Sequence, residues 1–234
     1  MRFIKYINES GSLESLNIQP EEFVKTIKRD CSKYFTELYP CFLYRGMEAF
    51  NAIVGYGIPR LDRKPKDTHQ VVHEMADEWF LKKFGWRARS QGLFVSTKEY
   101  VGLYGDKYII FPVGDYKYVF SPKVHDLMND LDDAVGEHTQ VPGNPKQRVE
   151  ALYPEQYPAL KESIFKTLDE AEYTNTGLKE FIVGKGSDRF AVSRTDREVM
   201  FNCKGYYFMR YFMRHESKFQ NDVMNILKGN NNEI

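Results

Sequence analysis

From Pro20 to Leu38 the apolar residues Phe23, Val24, Ile27, Cys31, Tyr34, Phe35 and Leu38 recur at three- and four-residue spacing. That is the period of a helix with one buried stripe. Asn17 and Pro20 mark its start, Glu21 and Glu22 fall in its first turn, and Pro40 ends it. The pattern then shortens: CFLYRGM, Cys41 to Met47, is apolar and aromatic and predicts a buried strand carrying one arginine. Gly55, Gly57 and Pro59 give the next segment a loop-like character. A second helix is predicted from about His69 to Phe84, with Val72, Met75, Ala76, Trp79, Phe80 and Lys83 on successive turns, Thr68 or Asp67 as its cap and Gly85 as its stop. GLFVST, Gly92 to Thr97, reads as a strand ending in two hydroxyls.

Beyond a short helical turn, YVGLYGD, the stretch KYIIFPVGDYKYVFS from Lys107 to Ser121 predicts a β-hairpin turning at Pro112, Val113 and Gly114. Asp126 to Arg148 is polar and holds Gly136, Pro142, Gly143 and Pro145, which predicts an exposed excursion, helical only at its start, with Asp130, Asp132 and Asp133 solvated. A third helix is predicted from Tyr157 to Glu172, with Leu160, Ile164, Leu168 and Ala171 on one face and Thr174, Asn175 and Gly177 closing it. Leu178 to Val183, Phe190 to Ser193 and Glu198 to Cys203 are strand-like, Tyr206 to Arg214 alternates loosely, and the tail GNNNEI is too polar to pack. No internal repeat is visible. This organisation divides the chain into a leader, 1–16, a single domain, 17–228, and a disordered tail, 229–234.

The chain has 234 residues, with 33 Lys plus Arg balancing 33 Asp plus Glu. The neutral balance removes the field argument for a nucleic-acid binder. Three cysteines, Cys31, Cys41 and Cys203, form no C-x-x-C pair and leave an odd thiol, which points to a reducing compartment and away from a zinc cluster. The apolar runs are far short of the roughly 20 residues that cross a bilayer. His69 and His73 lie four apart, but with Glu74 they read H-x-x-x-H-E, without the general-base position of a zinc protease, so no metal is expected. Gly184-x-Gly186 alone makes no dinucleotide fingerprint, and no P-loop or nucleophile elbow occurs.

Three segments combine into a chemical pattern: Tyr44-Arg45-Gly46 on the first strand, Phe94-Val95-Ser96-Thr97 at the end of another, and Asp196-Arg197-Glu198-Val199-Met200-Phe201 at the start of a late strand. Taken singly, each has an ordinary structural explanation: an ion-paired arginine, a hydroxyl at a strand end, a carboxylate opening a strand. In this order they resemble the Arg-Ser-Glu class of ADP-ribosyltransferases, whose motifs are an aromatic-Arg-Gly, a Ser-Thr-Ser and a Glu-x-Glu before an apolar strand. The resemblance spans about residues 40 to 205, and GLFVSTKEYVGLYGDKYIIFPVG is its best-matching segment. Lys98 departs from it by replacing the last Ser, and Asp196 by standing where arginine-modifying members carry Glu or Gln.

The resemblance implies an α+β fold, with helices flanking two small, twisted sheets and an NAD⁺ cleft between them. It implies mono-ADP-ribosyl transfer from NAD⁺, a co-substrate needing no metal, to a macromolecular acceptor, with a host protein favoured over a nucleic acid. Glu198 would stabilise the oxocarbenium-like ribose and accept a hydrogen bond from its 2′-hydroxyl. Arg45 would anchor the dinucleotide through its planar fork. Gly46, beside Tyr44, would let the nicotinamide amide approach the backbone, Ser96 would hold the nicotinamide ribose and orient Glu198, and Thr97 would support the strand end. Phe111 or Tyr108 would stack on the nicotinamide. Asp196, two residues before Glu198, would face the acceptor, with Gly184 to Thr195 as a recognition loop. The rivals are an NAD⁺ glycohydrolase and a binding protein of the same fold without turnover.

The leader MRFIKYINES resembles the openings of proteins of large tailed bacteriophages, whose N-terminal packaging peptides are cut after Ile/Leu-x-Glu, a pattern that Ile7-Asn8-Glu9 fits. The alternative is an N-terminal strand or arm. That resemblance implies a bacteriophage protein packaged in the virion and acting in the bacterial cytoplasm on host proteins.

Overall fold

The computed structural model describes residues 5–8, 11–47, 52–64, 68–97, 105–136, 147, 149, 153–183, 197–212 and 217–229. Among the described residues nine strands form one antiparallel sheet: β1 (Lys5–Asn8), β2 (Gly11–Ser15), β3 (Leu43–Met47), β4 (Val54–Ile58), β5 (Leu93–Ser96), β6 (Asp106–Pro112), β7 (Lys117–Phe120), β8 (Glu198–Asn202) and β9 (Tyr206–Arg210). Their order across the sheet is β1-β2-β4-β9-β6-β3-β5-β8-β7. The helices are α1 (Pro20–Asp30), α2 (Ser32–Glu37), α3 (Gln70–Phe84), α4 (Ala88–Gln91), α5 (Leu127–Gly136), α6 (Tyr157–Glu170), α7 (Leu178–Val183) and α8 (Lys218–Gly229). The architecture is therefore mixed α+β, built on a single sheet.

The sheet nevertheless has a seam. β3 pairs with β6 along its whole length, Leu43↔Ile110 to Met47↔Asp106, but meets β5 at one register pair, Tyr44↔Ser96. One half of the sheet (β1, β2, β4, β9, β6, β3) thus joins the other (β5, β8, β7) through a short contact, and beyond it the two strands part.

Two buried clusters cover the sheet, and the first crosses the seam, taking in Leu93 and Val95 of β5, Phe120 of β7 and Val199 and Phe201 of β8. α1 and α8 pack together, and Phe23 of α1 meets Phe111 and Tyr207 edge-on at 6.1 and 6.4 Å between ring centroids. On the other half, Val119 of β7 and Met200 of β8 join Val72, Ala76 and Phe80 of α3, Leu131 of α5 and Leu160 and Ile164 of α6 in a second buried cluster. α1 and α2 match the predicted first helix, with a break at Cys31. α3 begins one residue after His69, whose ring accepts the Val71 N–H, so His69 is the cap rather than Thr68 or Asp67.

Five expectations are corrected. Lys107 to Ser121 holds two strands but no hairpin, because β6 lies between β3 and β9 whereas β7 pairs with β8 on the far edge. Val54–Ile58 is a strand: rings of Phe208 and Tyr206 occupy the space a Cβ would need at Gly55 and Gly57, so glycine here permits a close strand approach. The expected helical start of Asp126 to Arg148 is α5, but it is anchored by buried Leu127, Leu131, Ala134 and Val135 rather than exposed. Leu178–Val183 is a helix, with Leu178 and Ile182 buried four residues apart. Residues 11–15 form β2 inside the sheet with Leu13 fully buried, so the leader is not set apart at residue 16. Ile7 and Asn8 end β1, and Glu9 lies outside the described residues.

Candidate functional site

The seam gathers the predicted chemistry. In antiparallel strands, directly opposite residues point to the same face. Tyr44 lies opposite Ser96, and Ser96 opposite Glu198, so the three form one row across β3, β5 and β8. Arg45, the next residue on β3, alternates to the other face of the strand from that row, and its Nη1 donates to the Phe94 carbonyl at 2.6 Å. Arg45, Ser96 and Glu198, dispersed along the sequence, are thus held on three adjacent strands. Among the described residues no strand pairs with Gly46 on the β5 side.

The row is clasped from below. Thr97 N donates to the Arg197 carbonyl at 3.1 Å, and Arg197 N donates to Thr97 Oγ1 at 3.0 Å, fastening the end of β5 to the residue before Glu198. Arg197 is tied in turn by its Nε to the Pro122 carbonyl at 3.0 Å. Thr97 is only 1% exposed, so the structure makes it a fastener behind the site rather than a cofactor contact. Tyr44 is buried edge-on against Tyr211, 5.3 Å between centroids, which leaves its backbone as the part facing the seam.

Phe111 is corrected more strongly. It is fully buried among Phe23, Tyr34 and Phe35 under α1 and α2, so it cannot stack on a ligand. Tyr108 is equally buried, edge-on to Phe208 at 5.4 Å. Asp196, Lys98 and the segment from Gly184 to Thr195 lie outside the described residues.

Burial sets the electrostatics. Glu198 is pushed up to about 7, first by desolvation; Arg89 pulls it down, Asp126 raises it and Arg63 lowers it. Its Oε1 is buried and without a hydrogen-bond partner among the described residues. Burial also depresses the Arg45 guanidinium, with Tyr206 opposing. A carboxyl poised near neutrality and held in place is equipped to stabilise a developing positive charge.

A second polar layer had no motif to announce it. Asp77 of α3 is 1% exposed and accepts the backbone N–H of Arg89 at 2.8 Å and of Ser90 at 3.1 Å, together with the Ser90 hydroxyl. His73, one turn earlier, contacts Ser90 Oγ at 2.9 Å. This network fixes α4, which packs against β8 and carries Arg89 toward Phe94. Arg63 stacks its guanidinium 4.0 Å from the Phe94 ring centroid, and its N–H donates to the Ser90 carbonyl at 3.0 Å. In WRARSQG nothing local separates exposed Arg87 from buried Arg89; only docking of α4 does.

His69 and His73 are spent on the α3 cap and on Ser90, and among the described residues no three His, Cys, Asp or Glu side chains assemble as a metal group. No described helix is long and apolar enough to cross a membrane. Two surface hollows, of about 280 and 450 Å³, lie elsewhere: one beside Glu14, Tyr56 and Tyr207, the other beside Lys33, Tyr116 and Tyr118. No protein-family model, curated protein or solved structure matches the chain.

Proposed function

We propose that the protein is a mono-ADP-ribosyltransferase that cleaves NAD⁺ at the nicotinamide-ribose bond and transfers ADP-ribose to a macromolecule, with a host protein as the favoured acceptor. The observation that carries this reading is the row Tyr44-Ser96-Glu198 across the seam; Arg45, on the other face of β3, is tied to β5 through its guanidinium. Gly46 would offer backbone partners to a nicotinamide amide, and Ser96 would hold the ribose opposite Glu198.

In the reaction the bond electrons leave with neutral nicotinamide, and the ribose carbon becomes cationic. Ionised Glu198 stabilises that charge until the acceptor nucleophile attacks and gives up its proton. The buried carboxyl near 7 would make activity rise with pH through that value as the anion forms.

The test is incubation with labelled NAD⁺ and bacterial lysate, comparing the protein with Glu198→Gln. Discrete labelled products that fall about 100-fold or more in the variant are expected, the scale of removing one preorganised electrostatic group. Equal labelling from both would refute the assignment of Glu198. Nicotinamide release without label would assign water as the acceptor, and neither label nor release would overturn the enzymatic reading.

A further inference from the structure

We propose that Arg63 and Arg89 form a phosphate-binding subsite, two guanidiniums converging on the Phe94 ring beside Ser96 and Glu198; this rests on the reading of that row as the place where NAD⁺ binds. Phe94 and Ser96 are two residues apart on β5, so their side chains leave the strand on the same side, about 7 Å apart along it. Phe94 lies opposite Met200 and Ser96 opposite Glu198, which puts the ring, the hydroxyl and the carboxyl on one face. The Arg63 guanidinium carbon stands over the ring, 4.0 Å from its centroid, and the Arg89 carbon is 5.9 Å from the same centroid. Arg63, Phe94, Ser96 and Glu198 are all half-buried, so this face is reachable from solvent.

Backbone contacts place both cations. The Arg63 N–H donates to the Ser90 carbonyl at 3.0 Å, which fixes the segment after β4 against α4. The N–H groups of Arg89 and Ser90 donate to the Asp77 carboxylate at 2.8 and 3.1 Å, so that carboxylate is engaged by the backbone of α4. Arg89 is 9% exposed, its Nε lacks a hydrogen-bond partner among the described residues, and its one guanidinium hydrogen bond among them is a long 3.5 Å contact to Thr68 Oγ1. Glu198 Oε1 accepts no hydrogen bond among the described residues, so neither arginine makes a two-pronged pair with it.

Two guanidiniums drawn to one ring repel each other and lose hydration, a cost that an anion seated between them offsets. Planar forks stacked on an aromatic ring are pre-ordered for phosphate oxygens. A ribose held at Ser96 carries its 5′-phosphate toward Phe94, away from the carboxylate. Arg45, which the sequence motif would assign to the dinucleotide, lies on the other face of β3 with its Nη1 on the Phe94 carbonyl.

The test reads binding, without turnover. Calorimetric titration with ADP and with inorganic pyrophosphate compares the intact protein with Arg63→Gln, Arg63→Lys, Arg89→Gln and Arg87→Gln. Arg63→Gln should weaken ADP binding by about 10- to 100-fold, the scale of losing charge-assisted hydrogen bonds, with its urea midpoint little changed. Arg63→Lys, which keeps the charge but not the fork, should fall between. Arg89→Gln should weaken binding likewise, and where it does not fold Arg63→Gln decides alone. Arg87→Gln removes an exposed charge next to α4 and should stay within about twofold of the intact protein, as one distant surface charge contributes little. No binding of ADP or pyrophosphate by the intact protein, equal affinity in Arg63→Gln, or an equal loss in Arg87→Gln would overturn the subsite. Arg63-dependent ADP binding without cleavage of labelled NAD⁺ would remove the proposed reaction and keep the subsite, whereas cleavage with ADP affinity indifferent to Arg63 would do the reverse.

Discussion

Replacing Glu198 by Gln should make the protein more stable while removing the activity proposed for it. The buried carboxyl is moved from its ordinary 4.5 to about 7. At about 1.4 kcal/mol per tenfold change, that displacement corresponds to roughly 3 kcal/mol spent on ionising the group in the folded state. Because Glu198 retains partial exposure, about 1 to 3 kcal/mol is the expected effect.

The sign follows from proton linkage. Between the unfolded and folded values the native state holds a proton that the unfolded chain has released, so stability falls as pH rises through this window. The full cost is present above 7, and below 4.5 both states are protonated and the penalty disappears. The amide cannot ionise and keeps the strand pairing with Ser96. His73 complicates the raw curve, because burial, reinforced by Arg89, holds its pKa low; its contribution rises with pH in an overlapping range. The difference between the two proteins cancels His73 and leaves Glu198.

The assay is urea denaturation followed by far-ultraviolet circular dichroism from about pH 4 to about pH 8. The advantage of Glu198→Gln should grow by about 1 to 3 kcal/mol over that span. A difference that stays flat with pH, or that shrinks as pH rises, would refute the account of a carboxyl desolvated at the seam.

Two further outcomes follow from the packing. Phe111→Ala should lower stability by about 3 to 5 kcal/mol, the cost of deleting a core aromatic, and leave the KM for NAD⁺ unchanged in the protein that remains folded; a selective rise in KM with normal stability would return Phe111 to the binding site. Asp77→Ala strips the acceptor from two backbone N–H groups and the Ser90 hydroxyl, and should cost about 3 kcal/mol by chemical denaturation. A loss below half a kcal/mol would mean that α4 needs no such cap.

Local patterns carried much of the fold. The stripe from Phe23 to Leu38 is readable because burying one face of a helix imposes its period on the residues, and the short apolar runs of β3, β5 and β8 stand out for the same reason. Where burial was divided among distant partners the pattern failed. Val54–Ile58 looked like a loop because its glycines suit rings of β9 more than 140 residues away in the sequence. Leu178–Val183 is too short for its period to separate helix from strand, and Lys218–Gly229 packs its Val223 and Leu227 in the core with α1. The apparent hairpin at Lys107 to Ser121 failed because a turn sequence states that the chain reverses, not which neighbours its strands take.

For the site, the sequence by itself singled out Arg45, Ser96 and Glu198 as residue types in a suggestive order, because side-chain chemistry is written in the residues. Only the tertiary structure decided that Ser96 and Glu198 face each other across two strands, that Phe111 belongs to the core, and that Arg89 rather than Arg87 is buried. Those facts depend on strand register and on the docking of α4, set by contacts between segments far apart along the chain. Desolvation, which moves Glu198 toward neutrality, likewise exists only once the surrounding layers have closed over it.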